Sequence, residues 1–285
     1  MRIRVGTAGL PRLAQGKGYL RGLKMLRQLG LDLLEIEFVR GVTLSEREAE
    51  EVGKLACRLD VMLTIHAPYY VNFCSEKVSV REQSYERVKT CLRYSKILNA
   101  RYVVVHAGYY MSYGPSRCKR IIVEYMRRLA KYIDEEDVPA RIAVETMGKD
   151  EQFGTLDEII DVCTEVGIGY VVPCIDWAHI YLRNRGHIDY VQVLSLVRSR
   201  LPDLRELHMH FTGLTLDSGK LDDQHDVIDT DRPPLRPLAE ALYLFRNQFN
   251  EVSIVCESPL LERDALKIKR VISEVFSCRD SLGKT

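Results

Sequence analysis

Six residues able to bind a divalent metal ion recur along the chain: His66, His106, Glu145, Asp176, His210 and Glu257. Each closes a short apolar run; MLTIH ends on His66, IAVE on Glu145 and LHMH on His210. Buried carboxylates are costly unless paired or metal-bound. Several imidazoles and carboxylates brought to one place make a donor set for zinc or a similar cation. Any one of the six alone reads as an ordinary core histidine or a helix-capping acid. Six in succession argue for a shared task. His179 follows Asp176 by three positions in CIDWAHI, and Asp223 and His225 lie in KLDDQHD, which reads as a loop. His208 shares strand parity with His210 and points the same way one layer deeper. His210, nearer the strand end, is the expected ligand.

The elements that must position these groups are legible as eight short runs: Ile3–Thr7, Leu33–Phe38, Met62–His66, Tyr102–His106, Ile142–Glu145, Tyr170–Asp176, Leu207–His210 and Val252–Glu257. Their spacing averages about 35 residues, the length of a strand, a helix and two loops. The stretches between them are amphipathic. Ser45 with Glu48 forms a capping-box pattern, and Thr155 is followed by Asp157 and Glu158. Ile121, Ile122, Tyr125, Leu129 and Tyr132 share one helical face. Strand–helix alternation predicts a parallel sheet. Eight units predict an α/β fold closed as a single (β/α)8 TIM barrel over residues 1–278, with 279–285 a short polar tail. No GxGxxG follows a strand, which argues against an open dinucleotide-binding sheet. In a barrel the C-terminal strand ends share one rim, where active sites are built. The six groups would meet there.

Composition narrows the function classes. The chain has 285 residues, 46% hydrophobic and 28% charged, which excludes intrinsic disorder. Net charge is 41 − 40 = +1. Binding to nucleic acid would therefore need a local basic patch rather than bulk charge. The eight cysteines form no CxxC pair and are expected to be reduced, mostly buried thiols. The N-terminus lacks a signal-peptide apolar stretch, and no apolar run of about 18 residues exists. A cytoplasmic monomer with no membrane partner is expected.

Seven segments, IHAPYYVN, VVVHAGYY, IAVETMG, CIDWAHI, HMHFTG, DDQH and VCES, together resemble the endonuclease IV family of apurinic/apyrimidinic-site nucleases in order and spacing. They span positions 66 to 257. The resemblance implies a barrel holding three zinc ions. By matching position, His66, His106 and Glu145 would hold one. Glu145 would bridge to a second, shared with Asp176, His210 and Glu257. His179, Asp223 and His225 would hold the third. The chain departs from the family pattern at Gln224, where Arg is usual, at the first strand end, GTAGLP, where His is frequent, and at Thr212–Gly213, where Asn-Asp is common. These departures fall on the third site and the substrate loops rather than the dinuclear core, so the chain looks like a divergent member.

The activity implied is zinc-dependent phosphodiester cleavage of DNA 5′ to abasic sites, as in base excision repair, with metal-bound hydroxide attacking phosphorus. Glu145 and Glu257 would be the catalytic carboxylates, and the cofactor two or three zinc ions, with manganese as the alternative. The partner would be double-stranded DNA with abasic sites. Tyr69 and Tyr70 would wedge into the stack. Arg40, Arg183 and Arg185, with Arg117, Lys119 and Lys220, would contact phosphates. The alternative is a sugar isomerase or epimerase of the xylose-isomerase-like kind. It would bind one ion through Glu145, Asp176, His210 and Glu257, and Glu145 and Glu257 would shuttle a proton beside a carbonyl polarised by the metal. His66, His106, His179 and the Asp-x-His pair are surplus to that reading and favour the nuclease. A barrel that binds without turnover would have lost donors, and the core set is intact.

Overall fold

Strands buried on both faces must be apolar throughout, and β-branched runs such as YVVV and VVPCID meet that demand. A computed structural model describes residues 1–282. The strands are β1 (Arg2–Ala8), β2 (Leu33–Glu37), β3 (Met62–His66), β4 (Tyr102–Val105), β5 (Arg141–Glu145), β6 (Val171–Asp176), β7 (Glu206–Phe211), β8 (Gly213–Asp217), β9 (Lys220–Asp226) and β10 (Glu251–Cys256). The helices are α1 (Tyr19–Gln28), α2 (Glu46–Leu59), α3 (Val78–Leu98), α4 (Pro115–Glu135), α5 (Leu156–Val166), α6 (Trp177–Arg183), α7 (Tyr190–Arg200), α8 (Leu235–Leu244) and α9 (Glu262–Leu282). Strands β1 to β7 and β10 pair in parallel and close a barrel, β10 returning to β1 with Arg2 opposite Glu251 and Thr7 opposite Cys256. The eight expected runs are these eight strands.

The helices form because their caps and faces agree. Ser45 accepts from the Glu48 amide while the Glu48 carboxylate accepts from the Ser45 amide, and Thr155 and Glu158 repeat the arrangement at α5. On α4, Ile122, Tyr125, Met126, Leu129 and Ile133 are buried, with Ile121 and Tyr132 half-buried beside them. Burying such side chains is worth about 1.5–3 kcal/mol each, which fixes the helix against the barrel wall.

Three features differ from the sequence expectations. The segment read as a loop around Asp223 is instead an antiparallel hairpin, β8–β9, added at the rim after β7. Ser218 (φ 49°) and Gly219 (φ 80°) make its two-residue turn, and a glycine there takes the left-handed backbone without strain. Cys74 and Cys118 are joined as a disulfide rather than reduced, with Cα atoms 5.3 Å apart. The connection after β3 is tied to the one after β4 by the Phe73 amide donating to the Ala107 carbonyl, which carries Cys74 onto the first turn of α4. Helix α9 runs to Leu282, so residues 279–282 of the expected tail are helical, and 283–285 lie outside the described residues. Among the described residues no helix is long and apolar enough to cross a membrane.

The two ends of the barrel differ in charge pairing. Around the N-terminal strand ends a cavity of about 510 Å³ is bordered by Arg4, Asp60, Arg101, Arg141 and Glu206. Arg4 pairs with Asp60 and Glu251 at 3.0 Å each, and Glu206 pairs with Arg101 and Arg141. Those charges satisfy one another. The opposite rim is where they do not.

Candidate metal centre

Side chains two residues apart on a strand share a face, so each barrel strand points alternate residues inward. At the C-terminal rim the inward positions are His66 on β3, Glu145 on β5, Asp176 on β6 and His210 on β7, with His106 and Glu257 just past β4 and β10. His66, Glu145, Asp176 and His210 are buried, and His106 and Glu257 are largely so. The structure therefore brings together all six residues singled out by spacing.

The Glu145 carboxylate is the centre of the cluster. Its Oε2 lies 3.3 Å from His66 Nε2 and 3.0 Å from His106 Nε2. Its Oε1 lies 3.2 Å from His179 Nδ1 and 3.5 Å from His210 Nδ1. His210 Nδ1 is also 3.3 Å from Glu257 Oε1. Asp176 caps α6, its Oδ1 accepting from the His179 amide at 2.7 Å, which sets His179 one turn above it and leaves Oδ2 unpartnered. His66 Nδ1 donates to the Ala67 carbonyl at 2.8 Å, leaving Nε2 as its free donor atom toward the cluster.

Beneath this rim lies a second polar layer that spacing did not single out. Glu35 on β2 is fully buried. Its Oε2 accepts from Thr64 Oγ1 at 2.7 Å and faces His208 Nε2 at 3.3 Å, while its Oε1 faces His210 Nε2 at 3.1 Å. His208 is thus the deeper histidine and meets Ser253 Oγ through Nδ1 at 2.8 Å, whereas His210 turns Nδ1 to the rim. Glu37, two residues on and paired in register with His66, is half-buried with its Oε1 enclosed. The signal was present: LLEIE alternates, so both glutamates share one face of a strand that is otherwise apolar.

Charge in the cluster is lopsided. Burial lowers His66, but the hydrogen bond to Glu145 and the charge of Glu37 push it up to about 10. Burial likewise opposes protonation of His179 and His210, and the facing carboxylates hold both well above the ordinary histidine value. Burial raises Glu145 and Glu35, yet the imidazoles around each outweigh it and keep both well below the usual carboxylate range. Glu257 is raised by burial, and burial pushes Glu37 up to about 8. The field calls for positive charge.

Whether the donors suit a divalent ion can be judged from their unmet valences. Asp176 Oδ2, Glu35 Oε1, Glu37 Oε1 and both ring nitrogens of His210 are buried without a hydrogen-bond partner. Such orphans cost about 1–3 kcal/mol each, a cost that coordination removes. Donor atoms of His66, His106 and Glu145, of Glu145, Asp176 and His179, and of Glu35, His210 and Glu257 lie within 4.8 Å of one another in each group. Nitrogen and carboxylate donors at such separations fit zinc or manganese.

The remaining sequence candidates fare unequally. His179 Nε2 lies 3.4 Å from Asp223 Oδ1 on β9, but His225 turns away, its Nδ1 3.2 Å from the Glu257 carbonyl. Among the described residues, His179, Asp223 and His225 do not close into one donor group. Gln224 lies on the exposed face of β9. Tyr69 packs on His66 and His106, ring centres 5.0 and 5.4 Å away, and lines a rim cavity of about 260 Å³ with those histidines, Glu145, His179 and Glu257. Tyr70 instead lies under the Arg87 guanidinium at 4.4 Å. Arg40 is exposed after β2. Arg183, expected at phosphates, is spent inside the protein: its Nη1 donates to the Met147, Lys149 and Gln152 carbonyls at 3.0, 3.0 and 3.1 Å. Arg185 pairs with Asp150, Arg117 lies over Tyr113 and Lys119 pairs with Asp161. Lys220 opens β9 on its exposed face.

Comparison with known proteins places this rim in context. The chain is 29% identical to an uncharacterised protein of Methanocaldococcus jannaschii over 95% of its own length and 97% of that protein's. It is 23% identical to a Carboxydothermus hydrogenoformans protein named "Probable endonuclease 4", covering 75% and 76% of the two chains. Among solved structures, a D-tagatose 3-epimerase-like protein superposes with TM-score 0.69 at 18% identity, covering 99% of each chain. Endonuclease IV of Thermus thermophilus superposes with TM-score 0.68 at 21% identity over 96% of this chain and 99% of that one. The sequence pattern of one family spans residues 23–273, nearly the whole barrel, and the chain belongs to that family, the xylose isomerase-like TIM barrel.

Proposed function

We propose that this protein is a metal-dependent phosphodiesterase that cleaves double-stranded DNA 5′ to abasic sites. The observation that carries the reading is the Glu145 carboxylate, whose two oxygens face two separate sets of donors. A sugar epimerase needs one cation and has no use for His66 and His106 on the far side of that carboxylate. Zinc, or manganese in its place, would be held by His66, His106 and Glu145 and by Glu145, Asp176, His210 and Glu257. Ions so held supply Lewis acidity to a phosphodiester and lower the pKa of water.

The chain's own groups do the rest. Glu257 lines the cavity beside His210, where a carboxylate oxygen not engaged by metal would accept a hydrogen bond from the attacking water and orient it. Tyr69, half exposed at the lip, offers an aromatic face where a missing base leaves a gap. The relatives named for endonuclease 4 and the endonuclease IV fold support the same reading.

The epimerase fold neighbours and the open third donor set favour a second reading, a mononuclear ketose epimerase. One experiment separates the two. The zinc-loaded protein is incubated with a duplex carrying one abasic site and, separately, with ketose sugars. Nicking that leaves a 3′-hydroxyl, with at least two zinc equivalents per chain, is expected. A single bound manganese with sugar epimerisation and no nicking refutes the nuclease.

A further inference from the structure

The third donor set is incomplete, and a lysine stands at its edge. Lys149 Nζ lies 3.4 Å from Asp223 Oδ2, while Asp223 Oδ1 lies 3.4 Å from His179 Nε2. Both oxygens of Asp223 therefore face a neighbour before any ion arrives. Lys149 lies on the connection between β5 and α5, four residues beyond Glu145, and it lines the same cavity as His179, Asp223 and His225.

The position is built rather than incidental. Arg183 clamps the carbonyls of Met147, Lys149 and Gln152, and the Gln152 side chain accepts from the Lys149 amide at 3.1 Å. Gly148 lets this backbone press onto α6, since a Cβ there would sit 2.8 Å from Leu182 Cδ2 and 3.3 Å from His179 Cδ2. The loop is thus held down on α6, with the lysine directed across His179 to the hairpin. His225 faces the Glu257 carbonyl instead of Asp223.

We infer that the Lys149 ammonium takes the place of a third metal ion, so that the centre closes around two divalent cations and one lysine. This rests on the phosphodiesterase reading and deepens it. An ammonium beside Asp223 repels a divalent ion from the His179–Asp223 pair. It also supplies N–H donors to a non-bridging phosphate oxygen, the charge-neutralising task a third cation would perform.

The test is metal stoichiometry, read by elemental mass spectrometry on the full chain after zinc loading and dialysis. The wild-type protein should retain two zinc equivalents, K149R two, and K149M three. K149M/D223N should return to two, which locates the added ion at Asp223. Thermal melts of the zinc-free variants confirm that each is folded; Lys149 is half exposed, so K149M should melt as the parent does. Three equivalents in the wild type overturn the inference and leave the phosphodiesterase reading standing. Two equivalents in K149M overturn it as well. Fewer than two in the wild type overturns the reading and the inference together.

Discussion

Glu35 offers the sharpest test of how the rim is held. It is fully enclosed on β2, below the six donors, and faces His210 Nε2 through one oxygen and Thr64 and His208 through the other. With the Glu35 carboxylate 3.1 Å below Nε2, the ring turns Nδ1 upward, toward Glu145 and Glu257. Carboxylates that orient a ligating imidazole in this way typically control 10–100-fold of metal affinity. In Glu35→Gln the side chain keeps its size but only one oxygen. If that oxygen stays with Thr64 and His208, the amide NH2 meets the N–H of His210 and the contact is lost. A buried polar contact to a charged group is worth about 1.5–3 kcal/mol. That corresponds to roughly 10–150-fold, in line with the affinity range. Zinc affinity should therefore fall by one to two orders of magnitude when measured by competition with a chromophoric chelator. Glu35→Ala should additionally lower folding stability by about 3–5 kcal/mol in urea, since it strands buried imidazoles. A Glu35→Gln protein that is folded and binds zinc within about twofold of the parent would refute the positioning role.

Three further outcomes are expected. Glu145→Gln should reduce nicking by at least about 10³-fold while circular dichroism stays native, and retained turnover would remove Glu145 from the centre. Arg183→Ala should cost about 2–4 kcal/mol of stability by freeing three carbonyls and should leave the salt dependence of DNA binding unchanged; a slope reduced by about one would restore Arg183 to a phosphate contact. The Glu82 carboxyl is held down to about 2 by Arg128 and Tyr125. A depressed carboxylate stabilises the fold above its unfolded value of about 4.3 and loses that contribution as pH falls toward 2. Because the pair is nearly half exposed, a double-mutant cycle with Glu82→Gln and Arg128→Ala should give only about 0.2–1 kcal/mol at pH 7, vanishing near pH 2. Coupling that persists at pH 2 would contradict the assignment.

The rim was readable in the sequence because a strand reports its inner face every second residue and its end by the residue that stops the apolar run. His66, Glu145, Asp176 and His210 each sit at such a stop. Glu35 and Glu37 escaped because the run read from the sequence continues into the apolar Phe38, so neither glutamate marked its end, although their alternation with Leu34 and Ile36 was in view. Asp223 and His225 stood out by residue type and spacing, but not as strand residues. KLDDQHD is polar on both faces, and only the Ser218–Gly219 pair announced the turn. Arg183 and Lys149 show a different limit. Nothing local distinguishes an arginine that holds three carbonyls from one that awaits a phosphate, because the carbonyls belong to a connection more than thirty positions earlier. The Cys74–Cys118 link is equally non-local, since no CxxC spacing marks it.

The seam between β1 and β10 sets an order of events during translation. Their pairing joins Arg2–Thr7 to Glu251–Cys256, almost the full length of the polypeptide apart. A nascent chain still lacking the residues after Asn250 holds seven barrel strands whose two outer edges, β1 and β7, face nothing. Only when β10 leaves the ribosome can it bridge them, with α9 laid across β1 behind it. Glu257 follows β10 directly, so among the six rim residues it is the last to be made and takes its place only once that strand has closed the barrel.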